Sequence, residues 1–247
     1  MGLPFRLFAA LAPLFLLSAC LLTPGKFDST LDIRKDGAFT FTYKGEVKAV
    51  DPGAGLKDIG KDSEESGDGA TDKDAVYMPV AARTDSKNAG EDADKASKLR
   101  AIAAALSKEK GFRSARYIGG DTIEVDYAIS GRLDHSFVFP FNIDAEAVFP
   151  FVAVEVRKDG KVRVQAPGFG SSAGSDKTGG LGGMSGMGES DRAEGREGTF
   201  TLTTDTEIVS QNQEDGATTT PQGKRIVWKV SPLTKVAPMA VLKLDSQ

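Results

Sequence analysis

The sequence has a single cysteine and a single histidine among 247 residues. One cysteine cannot form an internal disulfide, and the two residues together cannot supply a zinc ribbon or a multi-histidine metal site. Basic residues are in the minority, because 31 lysines and arginines stand against 35 acidic residues, for a formal net charge of −4. Proteins that bind nucleic acid generally carry a basic excess, so we expect no nucleic-acid partner, no metal and no cofactor.

Long apolar runs are confined to the N-terminus. Arg6 is followed by an apolar stretch that begins at Leu7 and is interrupted by Pro13. A short basic segment followed by such a stretch is typical of a secretory signal peptide. The stretch measures about 16 residues, fewer than the roughly 20 that a helix needs to cross a bilayer. The pattern therefore predicts a signal peptide over residues 1–19.

The only cysteine closes this segment. Leu17, Ser18, Ala19 and Cys20 form an aliphatic residue, two small residues and a thiol. This motif resembles the bacterial lipobox. The resemblance implies that Cys20 becomes the first residue of the mature protein and carries a diacylglycerol thioether and a further acyl chain such as palmitate. Two or more acyl chains anchor a protein stably, whereas one chain is marginal.

The residue after the cysteine bears on the location of the protein. Lipobox proteins that stay at the inner membrane typically have aspartate at this position, whereas this chain has Leu21. The resemblance therefore implies a lipid-anchored protein of the cell envelope, at the outer membrane and facing the periplasm. The alternative is that Cys20 is an ordinary apolar residue of an uncleaved helix or of a secretory signal.

The remaining pattern is mostly that of β-strands. After a tether over residues 20–30, alternating apolar residues flank Asp36-Gly37 and Asp159-Gly160, and such dipeptides are strong hairpin signals. Residues 239–244 have the pattern of a last edge strand.

One helix and two insertions complete the predicted domain. Apolar residues at helical spacing predict a long amphipathic helix over residues 92–110, with a solvated basic face. Acidic and glycine-rich compositions predict flexible, disordered insertions near 51–92 and 168–198. We therefore predict a single α+β domain over 31–247, built from an antiparallel sheet of about six to eight strands with the helix on one face.

Three patterns imitate catalytic or metal sites, and each lacks an essential part. Ser172 lies in a Gly-Ser-Ser-Ala-Gly sequence, but no helical pattern follows it and His135 precedes it. Residues 62–73 begin like a calcium loop but end on Lys73 instead of glutamate. Asp134 and His135 form an acid–base pair without a nucleophile at a recognisable spacing. We expect no enzymatic activity.

Five of the 14 phenylalanines fall within 15 residues. They are Phe137, Phe139, Phe141, Phe149 and Phe151. Clustered rings usually form a core, and the alternative is an apolar surface that binds a ligand or a partner. Pro140 and Pro150 each remove a ladder donor and so predict a sheet edge or a bulge.

The layout of hairpin, helix, sheet and a terminal strand containing Ile226-Val227-Trp228 is similar to the LppM-like lipoprotein domain, a family associated with lipid binding. These observations predict a membrane-anchored lipoprotein with a non-catalytic domain that binds lipid or another apolar ligand. The alternative is an envelope assembly or scaffold protein that docks a protein partner through an apolar sheet edge.

Overall fold

The structure is a computed structural model that describes residues 21–50, 86–140, 150–171 and 195–245. These residues contain twelve strands and one α-helix. The strands are β1 (Leu21–Ile33), β2 (Ala38–Val50), β3 (Phe112–Gly119), β4 (Thr122–Arg132), β5 (Phe137–Phe139), β6 (Val152–Val156), β7 (Lys161–Gln165), β8 (Glu197–Thr204), β9 (Glu207–Gln211), β10 (Thr218–Thr220), β11 (Gly223–Val230) and β12 (Met239–Lys243). The helix α1 (Ser86–Leu106) lies between β2 and β3, and a 3₁₀ turn (Pro167–Phe169) follows β7.

The strands form two sheets instead of the single predicted one. Seven strands pair in the order β10-β11-β8-β1-β2-β4-β3, and five pair in the order β5-β6-β7-β12-β9. Apolar side chains of both sheets meet in one buried cluster, so the described part is a two-layer sandwich with a helix beside it. The fold is mostly β with a single helix, roughly α+β, as expected. The prediction of one sheet was wrong because alternating apolar residues predict that a strand has a buried face but not the sheet to which the strand belongs.

One strand pair is parallel, although the sequence predicted an antiparallel sheet. β1 pairs with β8 in parallel register, with Phe27 opposite Gly198 and Ile33 opposite Thr204. Every other described strand pair is antiparallel. A period of two is the same for both directions, so the apolar pattern could not predict this pairing.

β1 includes residues that were predicted to be a tether. The strand begins at Leu21, and its register with β2 shifts between Pro24 and Phe27. A β-carbon at Gly45 on β2 would overlap the Lys26 carbonyl oxygen, so the bulge requires a glycine opposite it. Pro24 and Gly25 are residues that break a helix, and here they lie at a bulge inside a strand.

The helix lies four to six residues earlier than predicted. It spans Ser86–Leu106, and Leu99, Ala103 and Leu106 form its buried stripe against β3 and β4. The Ser107 hydroxyl donates to the Ala103 and Ala115 carbonyls, 2.9 and 3.0 Å away, as the chain leaves the helix for β3. The first residues of this helix were predicted to belong to an insertion. Of the two insertions, residues 51–85 and 172–194 lie outside the described residues.

The chain passes between the two sheets at the turn that joins β8 to β9. β8 belongs to the seven-stranded sheet and β9 to the five-stranded sheet. At the crossing, the buried Thr204 hydroxyl donates to the Ile33 carbonyl, 2.7 Å away, and accepts from the backbone N–H of Thr206 at 3.1 Å. β12, predicted as an edge strand, is central, because it pairs with both β7 and β9.

The sandwich has two ends, which we name by residues. At the Leu21 end, β1 and β8 begin and β2, β3 and β11 finish. At the Asp36 end, the predicted hairpin turns at Asp36-Gly37 and Asp159-Gly160 are confirmed, and the Asp245 N–H donates to the Lys35 carbonyl at 3.1 Å. At roughly 3.3 Å per residue, the 13 residues of β1 separate the two ends by about 40 Å.

Candidate functional site

The centre of the sandwich is a cluster of aromatic rings. Phe139 on β5 is 2% exposed, and its ring centroid lies 4.6 Å from that of Tyr127 and 5.1 Å from those of Phe41 and Tyr43. Phe151 is fully buried, with its centroid 5.9 Å from that of Phe139. The structure therefore places these two predicted site residues together, between the two sheets.

The rings continue from this centre across the seven-stranded sheet, because Phe200 and Trp228 lie level with Tyr43. Phe169, in the 3₁₀ turn, stacks on Phe27 at 4.2 Å and lies 5.6 Å from Phe200. Phe200 stacks on Trp228 at 5.5 Å. Phe27 and Phe169 come from distant segments that no local sequence pattern joins, so neither was predicted as a site residue. Their one signal is an inward position in an alternating strand or just after one.

Phe137 lies at the margin of the cluster. Its ring is half-buried, and its centroid is 5.3 Å from those of Phe39 and Phe41. β5 pairs with β6 alone among the described strands, so the predicted edge position of this segment is confirmed. Phe141 and Phe149, the other two predicted site residues, lie outside the described residues.

Two tyrosine hydroxyls in the cluster are held in their neutral form. Burial, with a smaller effect of the Glu46 charge, raises the pKa of Tyr43 well above its ordinary value, and the hydroxyl donates to the Glu46 carbonyl at 2.7 Å. Burial also raises the pKa of Tyr127. These groups therefore hold their protons at neutral pH and do not act as bases there.

A buried cation fastens the Leu21 end. Arg196 is 2% exposed, and its guanidinium donates to the carbonyls of Gly170 and Thr234, at 3.1 and 3.2 Å, and to the Ser171 hydroxyl at 3.0 Å. It therefore joins the segment after β7, the segment before β8 and the loop after β11. The sequence offered no signal for this role, because Arg196 lies at the end of a glycine-rich stretch that was predicted to be disordered.

The side-chain amide of Asn212, which follows β9, bridges β11 and β12 near Trp228. The Asn212 side-chain oxygen accepts from the Trp228 indole N–H at 3.1 Å and from the Met239 N–H at 2.9 Å. An open groove of about 390 Å³ lies beside it, between β9 and the β10–β11 hairpin. Its walls are Ile208, Val209, Ser210, Gln211, Ala217, Thr219 and Lys224.

The polar motifs from the sequence are exposed or lie outside the described residues. Asp134 and His135 hydrogen-bond to each other, with side chains 77% and 83% exposed, and this bond lowers the pKa of Asp134. No group of three or more potential metal ligands occurs among the described residues. Ser172 and the acidic residues 62–73 lie outside them.

Cys20 also lies outside the described residues, but its neighbour does not. Leu21 is the first residue of β1, the strand at the middle of the seven-stranded sheet. Within the described ranges, no helix is both long enough and apolar enough to cross a membrane.

Comparison with known proteins gives a likeness at the level of structure alone. No protein-family model matches the sequence, and no curated protein matches it. Among solved structures, the chain is similar to the folded domain of LppM from Mycobacterium tuberculosis, determined by NMR. The two chains are 12% identical, the match covers 92% of this chain and 93% of that one, and the TM-score is 0.35. The structural similarity is weak.

Proposed function

We propose that this chain is a lipid-anchored protein of the bacterial cell envelope, at the outer membrane and facing the periplasm. The observation that carries the proposal is the sequence Leu17-Ser18-Ala19-Cys20, which holds the only cysteine of the chain. The start of β1 at Leu21 supports it, because the folded body then begins one residue after the acylated thiol. The sandwich is a non-catalytic domain.

Fractionation of cells that express the full chain tests the anchor. The native protein should remain with the membranes after a high-salt wash and enter the detergent phase, because its acyl chains partition into lipid. Cys20→Ser removes the thiol that forms the thioether, and the exposed Ser210→Ala is the matched control. Equal membrane retention of the Cys20→Ser protein and the native protein would contradict the proposal.

We further propose that the sandwich binds lipid or another apolar ligand at the margin of the aromatic cluster. Half-buried Phe137 on the edge strand β5 supports this, because it offers apolar surface continuous with the buried rings of Phe39 and Phe41. Phe141 and Phe149, the other two residues that the sequence predicted for this apolar surface, follow β5 in the chain.

Titration with a fluorescent fatty acid tests this binding, with a soluble form that begins at Leu21 and whose folding is checked by circular dichroism. We expect saturable binding that Phe137→Ala weakens by roughly fivefold or more, because a large apolar contact is lost. Val209→Ala, on an exposed apolar residue of β9 at the opposite edge of the five-stranded sheet from β5, should leave the affinity unchanged. Absence of saturable binding would contradict ligand binding and leave the anchor untouched.

A second candidate function is docking of an envelope protein partner. The edge position of β5 favours it, since an edge strand presents backbone donors and acceptors to another chain. A photo-crosslinker at Val138 should then capture one partner from intact envelopes, whereas one at Val209 should not. Recovery of the monomer alone would count against docking.

A further inference from the structure

The two most exposed large apolar side chains of the described residues lie in one loop. Leu233 is 87% exposed and Val236 is 68% exposed, in the segment that joins β11 to β12. Exposed apolar side chains are common singly, but here two lie three residues apart. The loop therefore exposes a small apolar patch.

This loop is held firmly, so the exposure is built into the fold. The Thr234 carbonyl accepts from Arg196 at 3.2 Å and from the Ser171 N–H at 3.1 Å, and the Ala237 carbonyl accepts from the Asn212 amide at 2.8 Å. These bonds fix the backbone on both sides of Val236. A rigid loop that presents apolar side chains is typical of a contact surface.

The loop lies at the end of the sandwich where the anchor would be attached. Val230, the last residue of β11, is opposite Gly198, which is opposite Phe27 on β1, so the chain beyond Val230 continues towards the Leu21 end. On the other side of β1, Ile118 is 48% exposed and precedes Gly119, which is level with Thr122 and Lys48.

The order of strands places the anchor between these apolar residues. β1 has β8 and β11 on one side and β2, β4 and β3 on the other. Neighbouring strands lie about 4.8 Å apart, so the Leu233 loop and Ile118 stand roughly 24 Å apart on either side of the strand that begins at Leu21. Two separated contacts on either side of one attachment point would fix an orientation, whereas the attachment alone would allow the body to swing.

We propose that the Leu21 end lies flat against the bilayer that holds the lipid anchor, and that Leu233, Val236 and Ile118 enter the lipid interface. This inference rests on the proposed anchoring through Cys20. The occupant is the bilayer because an acylated residue next to Leu21 brings this end, and no other, within reach of lipid. Apolar side chains bury favourably at that depth.

Depth-dependent fluorescence quenching of the full, lipid-anchored chain tests the orientation. An acylated Cys20 cannot react with a thiol label, so Leu233→Cys, Val236→Cys, Lys158→Cys and Val209→Cys each provide one labelling site. The labelled proteins are reconstituted into phosphatidylethanolamine–phosphatidylglycerol vesicles that contain a headgroup-depth nitroxide lipid. Lys158 lies at the Asp36 end, and Val209 is a half-exposed apolar residue of the sandwich side.

We expect quenching at Leu233→Cys and Val236→Cys to exceed that at Lys158→Cys by at least about threefold, with Val209→Cys close to Lys158→Cys. Equal quenching at all four positions would overturn the proposed orientation while leaving the anchor in place. Labelling of the parent protein, which has Cys20 alone, would show a free thiol and overturn both the anchor and the orientation.

Discussion

Tyr43 shows how the apolar core accommodates a polar group. Its ring is fully buried among Phe27, Phe139 and Phe151, and its hydroxyl reaches the Glu46 carbonyl. A neutral hydroxyl with a partner is tolerated in such a place, whereas a phenolate would lack solvation. The raised pKa follows from this contrast.

Stability should therefore fall at alkaline pH. Unfolded tyrosine ionises near pH 10, but folded Tyr43 keeps its proton, so its contribution is complete below about pH 10 and is lost as the pH rises towards the folded pKa. Tyr43→Phe should cost about 1 kcal/mol at neutral pH, because the Glu46 carbonyl loses its donor, and should flatten the alkaline fall. Urea denaturation across this pH range measures both effects, and an unchanged alkaline slope would contradict the assignment.

Gly45 should be intolerant of a side chain. A β-carbon there would overlap backbone at Lys26 and Phe27, neither of which can move without disturbing β1. We expect Gly45→Ala to cost roughly 2 to 4 kcal/mol of unfolding free energy. Gly160→Ala is the matched control, because Gly160 also has a positive φ but faces open space, and it should cost about 1 kcal/mol. Equal losses would show that the close approach is unimportant.

At the scale of single elements, hairpins and the helix were predictable because their signals are local. Asp36-Gly37 and Asp159-Gly160 encode turns, and the stripe of Leu99, Ala103 and Leu106 encodes a buried helical face. The helix boundaries were displaced because the end depends on a bond from Ser107 to β3, a contact with an element that comes later in the chain.

The buried stripe of α1 should contribute strongly to the free energy of unfolding. Leu99 is 1% exposed against β3 and β4, whereas Leu233 is 87% exposed. Leu99→Ala should cost roughly 2 to 5 kcal/mol, because it removes buried methyl groups and leaves a cavity. Leu233→Ala should change stability by less than about 0.5 kcal/mol. Thermal unfolding of both variants measures the difference, and a comparable loss for Leu233→Ala would place that residue in the core.

At the scale of the whole molecule, partners and directions of strands could not be predicted from the sequence. β1 pairs in parallel with β8 across a long separation in sequence, and β12 lies inside the second sheet, between β7 and β9. Both arrangements depend on how the two sheets pack around one core. The local spacing of apolar residues in the sequence does not encode that packing.

The residues of the candidate site also differ in whether the sequence predicts them. The sequence drew attention to Phe139 and Phe151, and the structure buries both, but the rings of Phe27 and Phe169 reach the cluster through tertiary packing alone. The exposed loop around Leu233 and the buried Arg196 that secures it gave no sequence signal, because exposure depends on what the fold leaves uncovered.

The proposed anchor and the proposed orientation both depend on the chemical state of Cys20. Mass spectrometry of the N-terminal peptide, from protein extracted out of native membranes, tests it directly. We predict that the peptide begins at Cys20 and carries a diacylglycerol thioether and a further acyl group. A peptide that retains the leader, or a Cys20 with a free thiol, would contradict the account.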